Sequence, residues 1–326
     1  MTPLVSIIMP VKNAAAFLPE TLESIQRQSM KEWELIAVDD HSSDVSFDIL
    51  QKASSNDPRI KLIKNEGTGI TPALIRGYEQ STGESITRMD ADDLMDEKKL
   101  ERLSEGLTEG IIRTARVRYF RSDGPLGSGY EQYAQWLNNL ESTADHLRER
   151  FKECVIPSPC WMMRRQDFES IGGFHSESYP EDYDLMFRML HAGFELQKRK
   201  EVLHHWRDHS MRTSRNHPNY ADNRFLDMKL KYFVESECST GAGICLWGAG
   251  SKGKSIARGL ASAGVEFRWV TSNQKKIGKE ISRLHLSGPN TVEQGSKVIL
   301  AVAAEQDQME IRRELDDKEV TIFPFC

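Results

Sequence analysis

The sequence predicts an α/β protein: an open, largely parallel sheet followed by a smaller second α/β unit. Three observations predict it. Short apolar runs alternate with helical patterns from residue 5 to residue 93. Acidic residues close two of those runs, and the alternation resumes after a composition shift at 236–243.

Val5-Ser6-Ile7-Ile8-Met9 is a strand, ended by Pro10. Leu18, Leu22 and Ile25 recur at i, i+4 and i+7, giving a helix with Pro19 in its first turn. Leu35-Ile36-Ala37-Val38 is a second strand, closed by Asp39-Asp40, and 46–53 is a short helix. Ile60 to Ile63 is a third strand. A helix over 71–80 follows, with Pro72 at its start, and Ile86 to Met89 is a fourth strand closed by Asp90-Ala91-Asp92-Asp93. Continuous apolar strands separated by helices imply a parallel sheet covered on both faces. Ligands of such sheets sit at the carboxyl ends of strands, where these acids fall. Residues 105–160 are less regular, with helical patterns over 130–140 and 141–152; Trp136 and Leu140 read as core. A domain boundary is placed at 236/237. Beyond it, strands are expected at 244–247, 265–270, 298–302 and 320–323, with a helix over 254–263.

The chain has 326 residues, enough for two domains. Charged residues are 28% and hydrophobic ones 39%, as in a soluble globular protein. Mean hydropathy is −0.53, and no apolar run is long enough to cross a membrane. The N-terminus has no basic segment before an apolar core, so no secretory leader is expected. The net charge of −6 gives no support to nucleic-acid binding. Five cysteines with no CxxC indicate neither a disulfide framework nor a zinc ribbon, and suggest a reducing, cytoplasmic compartment.

Three constellations carry chemistry. Asp90 and Asp92, with Asp93 beside them, can converge on a hard cation such as Mn²⁺ or Mg²⁺. Alone, such a pair is often a solvated turn. Glu181-Asp182 reads either as an acidic helix N-terminus or, with Asp182 as general base, as part of a catalytic site. The stretch His204-His205-Trp206-Arg207-Asp208-His209, with Arg212, Ser214 and Arg215, could hold a diphosphate and supply a histidine ligand. It could equally be a surface loop with ordinary ion pairs.

Together these segments resemble family 2 glycosyltransferases. PLVSIIMPVKN and ELIAVDDHSSD resemble the family's opening motifs. NEGTGITPALIRGYEQSTGESITRMDADD resembles its stretch running into the DxD motif, GGFHSESYPEDYDLMFRML its glycine turn and E-D segment, and VLHHWRDHSMRTSR its arginine- and histidine-containing end. These segments stand in the family's order over about residues 3–220.

The resemblance implies a GT-A fold with a mixed central sheet. It implies transfer of a sugar, usually with inversion, from a nucleoside-diphosphate sugar to a hydroxyl of a glycan or lipid-linked acceptor in cell-surface polysaccharide synthesis. Carried over by position, Pro10, Val11 and Asn13 would line the nucleoside pocket, and Asp39 or Asp40 would bond the base. Arg76, Arg88 and Arg207 would lie near the donor, Asp90 would face the ribose or sugar, and Asp92, with His209, would hold the metal. Asp182 would be the base. The chain departs from the family pattern at Lys12, His41, Arg76 and Ser158-Pro159-Cys160-Trp161, which puts donor identity in doubt.

Gly248, Gly250 and Gly253 follow a strand and open a helix, the setting of a dinucleotide loop. The acid expected about 20 residues on is missing, where the chain reads Thr271-Ser272-Asn273. NAD-type binding, a nucleotide-sugar or phosphate site, and a purely structural or assembly role stay open for this Rossmann-like unit. The expected whole is a cytoplasmic glycosyltransferase, with peripheral membrane association left open. The alternatives are a nucleotide-dependent oxidoreductase and a non-catalytic sugar-nucleotide binding protein; a membrane-embedded synthase lacks the spanning segments.

Overall fold

The computed structural model describes residues 4–121, 124–175, 180–210, 212 and 225–326. They form two compact units: 1–146 with 155–216, and 147–154 with 217–326. The division is therefore not the single cut at 236/237 that composition suggests.

In the first unit the strands are β1 (Val5–Val11), β2 (Trp33–Asp39), β3 (Ile60–Lys64), β4 (Ser85–Arg88), β5 (Leu94–Met95), β6 (Ile111–Phe120), β7 (Trp161–Arg164) and β8 (Glu195–Arg207). The helices are α1 (Leu18–Gln26), α2 (Ser46–Asn56), α3 (Ile70–Glu79), α4 (Lys99–Ser104), α5 (Ser128–Asn138), α6 (Thr143–Glu149), α7 (Arg165–Ser170) and α8 (Glu181–His191). One eight-stranded sheet has the order β3-β2-β1-β4-β7-β6-β8-β5. β1 to β4 are parallel; β7 runs antiparallel to both β4 and β6, and β5 antiparallel to β8. The sheet is mixed, as the resemblance implies. Residues 105–160 are more regular than expected: they contain the ten-residue β6, paired with β8 along its whole length.

Local sequence explains the elements that carry the site. Ile7, Ile8, Leu35, Ile36, Ala37 and Val38 are fully buried, so β1 and β2 are apolar on both faces. α1 buries Leu18, Leu22 and Ile25 and carries Pro19 near its start. Its neighbouring polar stripe is also engaged. Thr21 Oγ1 donates to the carbonyls of Ala91 (3.0 Å) and Asp93 (2.9 Å). Ser24 Oγ accepts the N–H of Met95, and Gln28 bonds Asp96 and Leu100. α1 thus holds the turn after β4 in place.

The second unit has β9 (Ile244–Trp247), β10 (Arg268–Val270), β11 (Glu280–Ile281), β12 (Leu284–Ser287), β13 (Lys297–Leu300) and β14 (Thr321–Pro324), with α9 (Phe225–Glu237), α10 (Ser251–Ser262) and α11 (Glu305–Glu314). The order is β11-β12-β10-β9-β13-β14, parallel except for β11. Cys245, Trp247, Val270, Val298, Leu300 and Ile311 form its core. The fully buried Phe151 stacks on Phe325 at 5.2 Å and meets Phe233 edge-on at 5.5 Å. That aromatic packing draws 147–154 into this unit.

The glycine loop is shaped by packing. Gly248 has φ +122, and a Cβ there would lie 2.7 Å from the Ala301 carbonyl oxygen. A Cβ on Gly253 would lie 2.1 Å from the Gly248 carbonyl oxygen, whereas one on Gly250 would meet nothing. Gly253→Ala is therefore expected to destabilise this unit by about 1–3 kcal/mol, and Gly250→Ala to leave stability nearly unchanged. Thermal unfolding of the two variants checks this. Among the described residues, no helix is long and apolar enough to cross a membrane.

Candidate active site

Parallel register brings the acidic strand ends together. Ile8 of β1 pairs with Ile36 of β2 on one side and Arg88 of β4 on the other. The residues that follow β2 and β4 therefore emerge at one sheet edge, flanking the end of β1.

Beside β1 and β2, Asp40 accepts from the Asn65 amide (2.6 Å), the Gly69 N–H (2.9 Å) and Lys12 Nζ (3.0 Å). Burial alone would raise its pKa, but these donors hold it below the ordinary value. Asp39 is the freer acid. Its Oδ2 accepts the Ser42 N–H at 3.3 Å, while its buried Oδ1 has no hydrogen-bond partner. Asp39, His41, Ser42, Phe47 and Lys64 line a cavity of about 340 Å³. Pro10, Val11 and Asn13 do not line it. Pro10 and Val11 pair with Val38 and Asp39 in the sheet, and Asn13, at φ 51, accepts the Ser43 N–H at 2.7 Å. Their place is to shape the loop around the cavity. Arg76 stands apart, in ion pairs with Glu66 (2.8 Å) and Glu79 (3.5 Å).

Past β4 the acids divide between two partners. Arg88, 5% exposed, gives Nε and Nη2 to Asp90 Oδ1 (3.1 and 2.9 Å) and Nη1 to Glu181 Oε1 (2.8 Å). Burial would weaken its charge, but Asp90 and Glu181 more than restore it. Arg88 thereby links the turn after β4 to the start of α8. Asp182, half-buried beside that pair, has its pKa pushed up to about 8, first by burial, then by the negative charge of Glu181, with Arg88 opposing. It faces a small cavity of about 10 Å³, also lined by Ser158, Trp161, Phe174 and Met186. That is room for roughly one water.

Asp92 turns the other way. Its Oδ2 lies 2.8 Å from His209 Nε2, and Arg207 Nε donates to its carbonyl oxygen at 2.8 Å. His209 packs on the Phe17 ring at 4.3 Å between centroids, and its buried Nδ1 has no hydrogen-bond partner. Arg207 is also paired with Glu20 at 2.5 Å. Arg212 lies over the Tyr119 ring, and Asp92 and Asp93 favour its charge. Burial would raise the pKa of Asp92, but His209 and Arg212 bring it below the ordinary value. His204 reaches Asp93 instead, and His205 bonds Arg118. Ser214 and Arg215 lie outside the described residues.

Among the described residues, no three His, Cys, Asp or Glu side chains converge as a ready metal cage. One carboxylate and one imidazole, Asp92 and His209, make an oxygen–nitrogen donor pair that fits Mn²⁺, or Mg²⁺ with further oxygens from a phosphate. Sequence reasoning missed Thr21, Glu20, Phe17 and Lys99 around this turn. For Thr21 a signal existed: Thr21, Ser24 and Gln28 recur at i, i+3 and i+7, beside the apolar stripe of α1.

Residues 6–172 match the family model described as "Glycosyl transferase family 2". The chain belongs to this family. Among curated relatives of this glycosyltransferase is an uncharacterized glycosyltransferase of Haemophilus influenzae, 29% identical over 220 residues, 65% of this chain and 68% of that one. Among solved structures, S. aureus TarS 1-349 in complex with UDP-GlcNAc aligns with a TM-score of 0.52 at 16% identity, over 73% of this chain and 68% of that one. The mannosyltransferase PcManGT of Pyrobaculum calidifontis, in complex with GDP-Man and Mn²⁺, also aligns at 0.52 and 16% identity, over 81% and 76%. The glycosyltransferase has the GT-A fold.

Proposed function

We propose that this glycosyltransferase moves a sugar from a nucleoside-diphosphate sugar to a hydroxyl of a glycan or lipid-linked acceptor, with inversion and with help from Mn²⁺ or Mg²⁺. The observation that carries the reading is the split of the acids at one sheet edge: Asp92 pairs with His209, and Asp182 lies beside the Arg88–Glu181 pair. The structurally similar TarS in complex with UDP-GlcNAc and PcManGT in complex with GDP-Man and Mn²⁺ support the donor class and the metal.

In this reading the base of the nucleotide enters the cavity beside Asp39. The orphaned Asp39 Oδ1 accepts an N–H of the base, which satisfies a buried acceptor. Asp92 and His209 hold the divalent ion, whose charge would favour departure of the diphosphate. Arg207 fixes the Asp92 carbonyl, and Asp90, clamped by Arg88, faces the ribose or sugar. Asp182 takes the proton of the acceptor hydroxyl, whose oxygen bonds the anomeric carbon as the bond to the diphosphate breaks. We read the second unit as Rossmann-like and structural. Packing demands Gly248 and Gly253, and Thr271-Ser272-Asn273 offers no acid to a ribose.

Binding of UDP-, GDP-, dTDP- and CMP-sugars to the purified protein tests the reading. One donor is expected to bind, and Asp39→Asn is expected to weaken it about tenfold or more through a mispaired buried group. Binding of none, or an Asp39→Asn variant that binds as the parent does, contradicts the proposed base site.

A further inference from the structure

Behind the Asp90–Asp93 turn lies a row of three buried polar side chains that the transfer step does not use. Lys99, His204 and Asp93 are 0%, 0% and 1% exposed. Lys99 Nζ lies 2.6 Å from the Pro159 carbonyl oxygen and 3.1 Å from His204 Nδ1. His204 Nε2 lies 2.9 Å from Asp93 Oδ2, and Asp93 Oδ1 accepts the Arg207 N–H at 2.8 Å. An ammonium only donates, so His204 accepts at Nδ1 and carries its proton at Nε2. Every link then runs in one direction, from Lys99 through His204 to Asp93.

The row ties together parts of the chain that are far apart in sequence. Lys99 opens α4, Pro159 precedes β7, and His204 sits on β8. Asp93 fixes the end of β8 by holding Arg207. From that end, Arg207 Nε reaches the Asp92 carbonyl, and His209, just past the strand, reaches Asp92 Oδ2. At the other end of the row, Pro159 adjoins Ser158, which lines the cavity beside Asp182. Burying a lysine carries a heavy desolvation penalty. A leucine at 99 would fill much of the same space without it, so packing alone gives no reason for an ammonium there.

We propose that Lys99 and His204 are positioning residues. They hold Asp92 and His209 at the spacing a divalent ion needs, and they link that spacing to the segment beside Asp182. The inference rests on the metal assignment above and adds two residues to it.

The test uses Lys99→Met, close in size but unable to donate, and His204→Gln, in the whole protein. Mn²⁺ is titrated alone and with UDP or GDP, and free ion is read from its EPR signal. The Mn²⁺ concentration for half-maximal turnover is read beside it. Both variants are expected to weaken Mn²⁺ binding and raise the half-saturating concentration by roughly 10–100-fold, as for residues that orient a metal's ligands. Leu103→Ala, a fully buried position in the same helix, is the control: it lowers Tm and leaves Mn²⁺ affinity unchanged. Parent-like Mn²⁺ affinity in both variants overturns the positioning role while leaving the metal assignment intact. A parent that neither binds Mn²⁺ nor uses a divalent ion overturns the metal assignment itself. Should Lys99→Met not fold, His204→Gln carries the test.

Discussion

Asp92→Asn is expected to lower metal-dependent sugar transfer by roughly 10²- to 10³-fold, the effect of removing one preorganised group that stabilises developing charge. The fold should survive. Asp92 is partly exposed, and its side-chain bond with His209 Nε2 can be remade by an asparagine. What asparagine cannot supply is the charge. His209 and Arg212 keep the Asp92 pKa low despite burial, so the parent presents a carboxylate at neutral pH. Initial rates against Mn²⁺ concentration, with Tm as the control for folding, check this. A variant as active as the parent removes Asp92 as the metal ligand.

Asp182→Asn is expected to lower transfer by about 10²- to 10⁴-fold, the range for a positioned general base, while donor binding persists. It should also make the protein more stable at neutral and mildly alkaline pH. The pKa of Asp182 is raised from 3.8 to about 8, by burial first and then by Glu181. The folded chain therefore binds more protons than the unfolded chain between those values, and stability falls as pH rises through that window. Asparagine removes the loss. The Tm advantage of Asp182→Asn should be absent near pH 4 and grow toward pH 8. In the parent, kcat/KM should climb through about pH 8 as the base loses its proton. A flat profile, or normal transfer by the variant, assigns the base elsewhere.

How legible each part was in the sequence follows from burial. β1 and β2 are largely apolar on both faces, so they read as continuous runs, and the acids closing β2 and the buried β4 stood out. β6 reads IIRTARVRYF and β8 ELQKRKEVLHHWR. Both are half-buried ribbons with charges on the open face; charge hid β6 inside the stretch 105–160 that looked irregular, and kept β8 from reading as a strand at all. The metal-side pair of Asp92 and His209 came from motif order, since they lie far apart in sequence and β8 joins them only in the folded chain. Arg76 was drawn in by the same motif order, yet its side chain is spent on Glu66 and Glu79. Thr21 and Lys99 were missed because a polar residue on a short amphipathic helix reads as solvated. Only the fold shows that Thr21 and Lys99 are fully buried. Leu147 to Cys154 joined the second unit through Phe151, a long-range aromatic contact that composition cannot reveal.

The most direct test of the central claim is nucleotide release from UDP-, GDP-, dTDP- and CMP-sugars by the purified protein, with Mn²⁺ or Mg²⁺, beside Asp92→Asn and with donor binding read in the same samples. The account predicts that one donor binds and is turned over, that a chelator stops release, and that Asp92→Asn binds this donor but releases little nucleotide. Release that survives both the chelator and Asp92→Asn, or a protein that binds none of the donors, would contradict it.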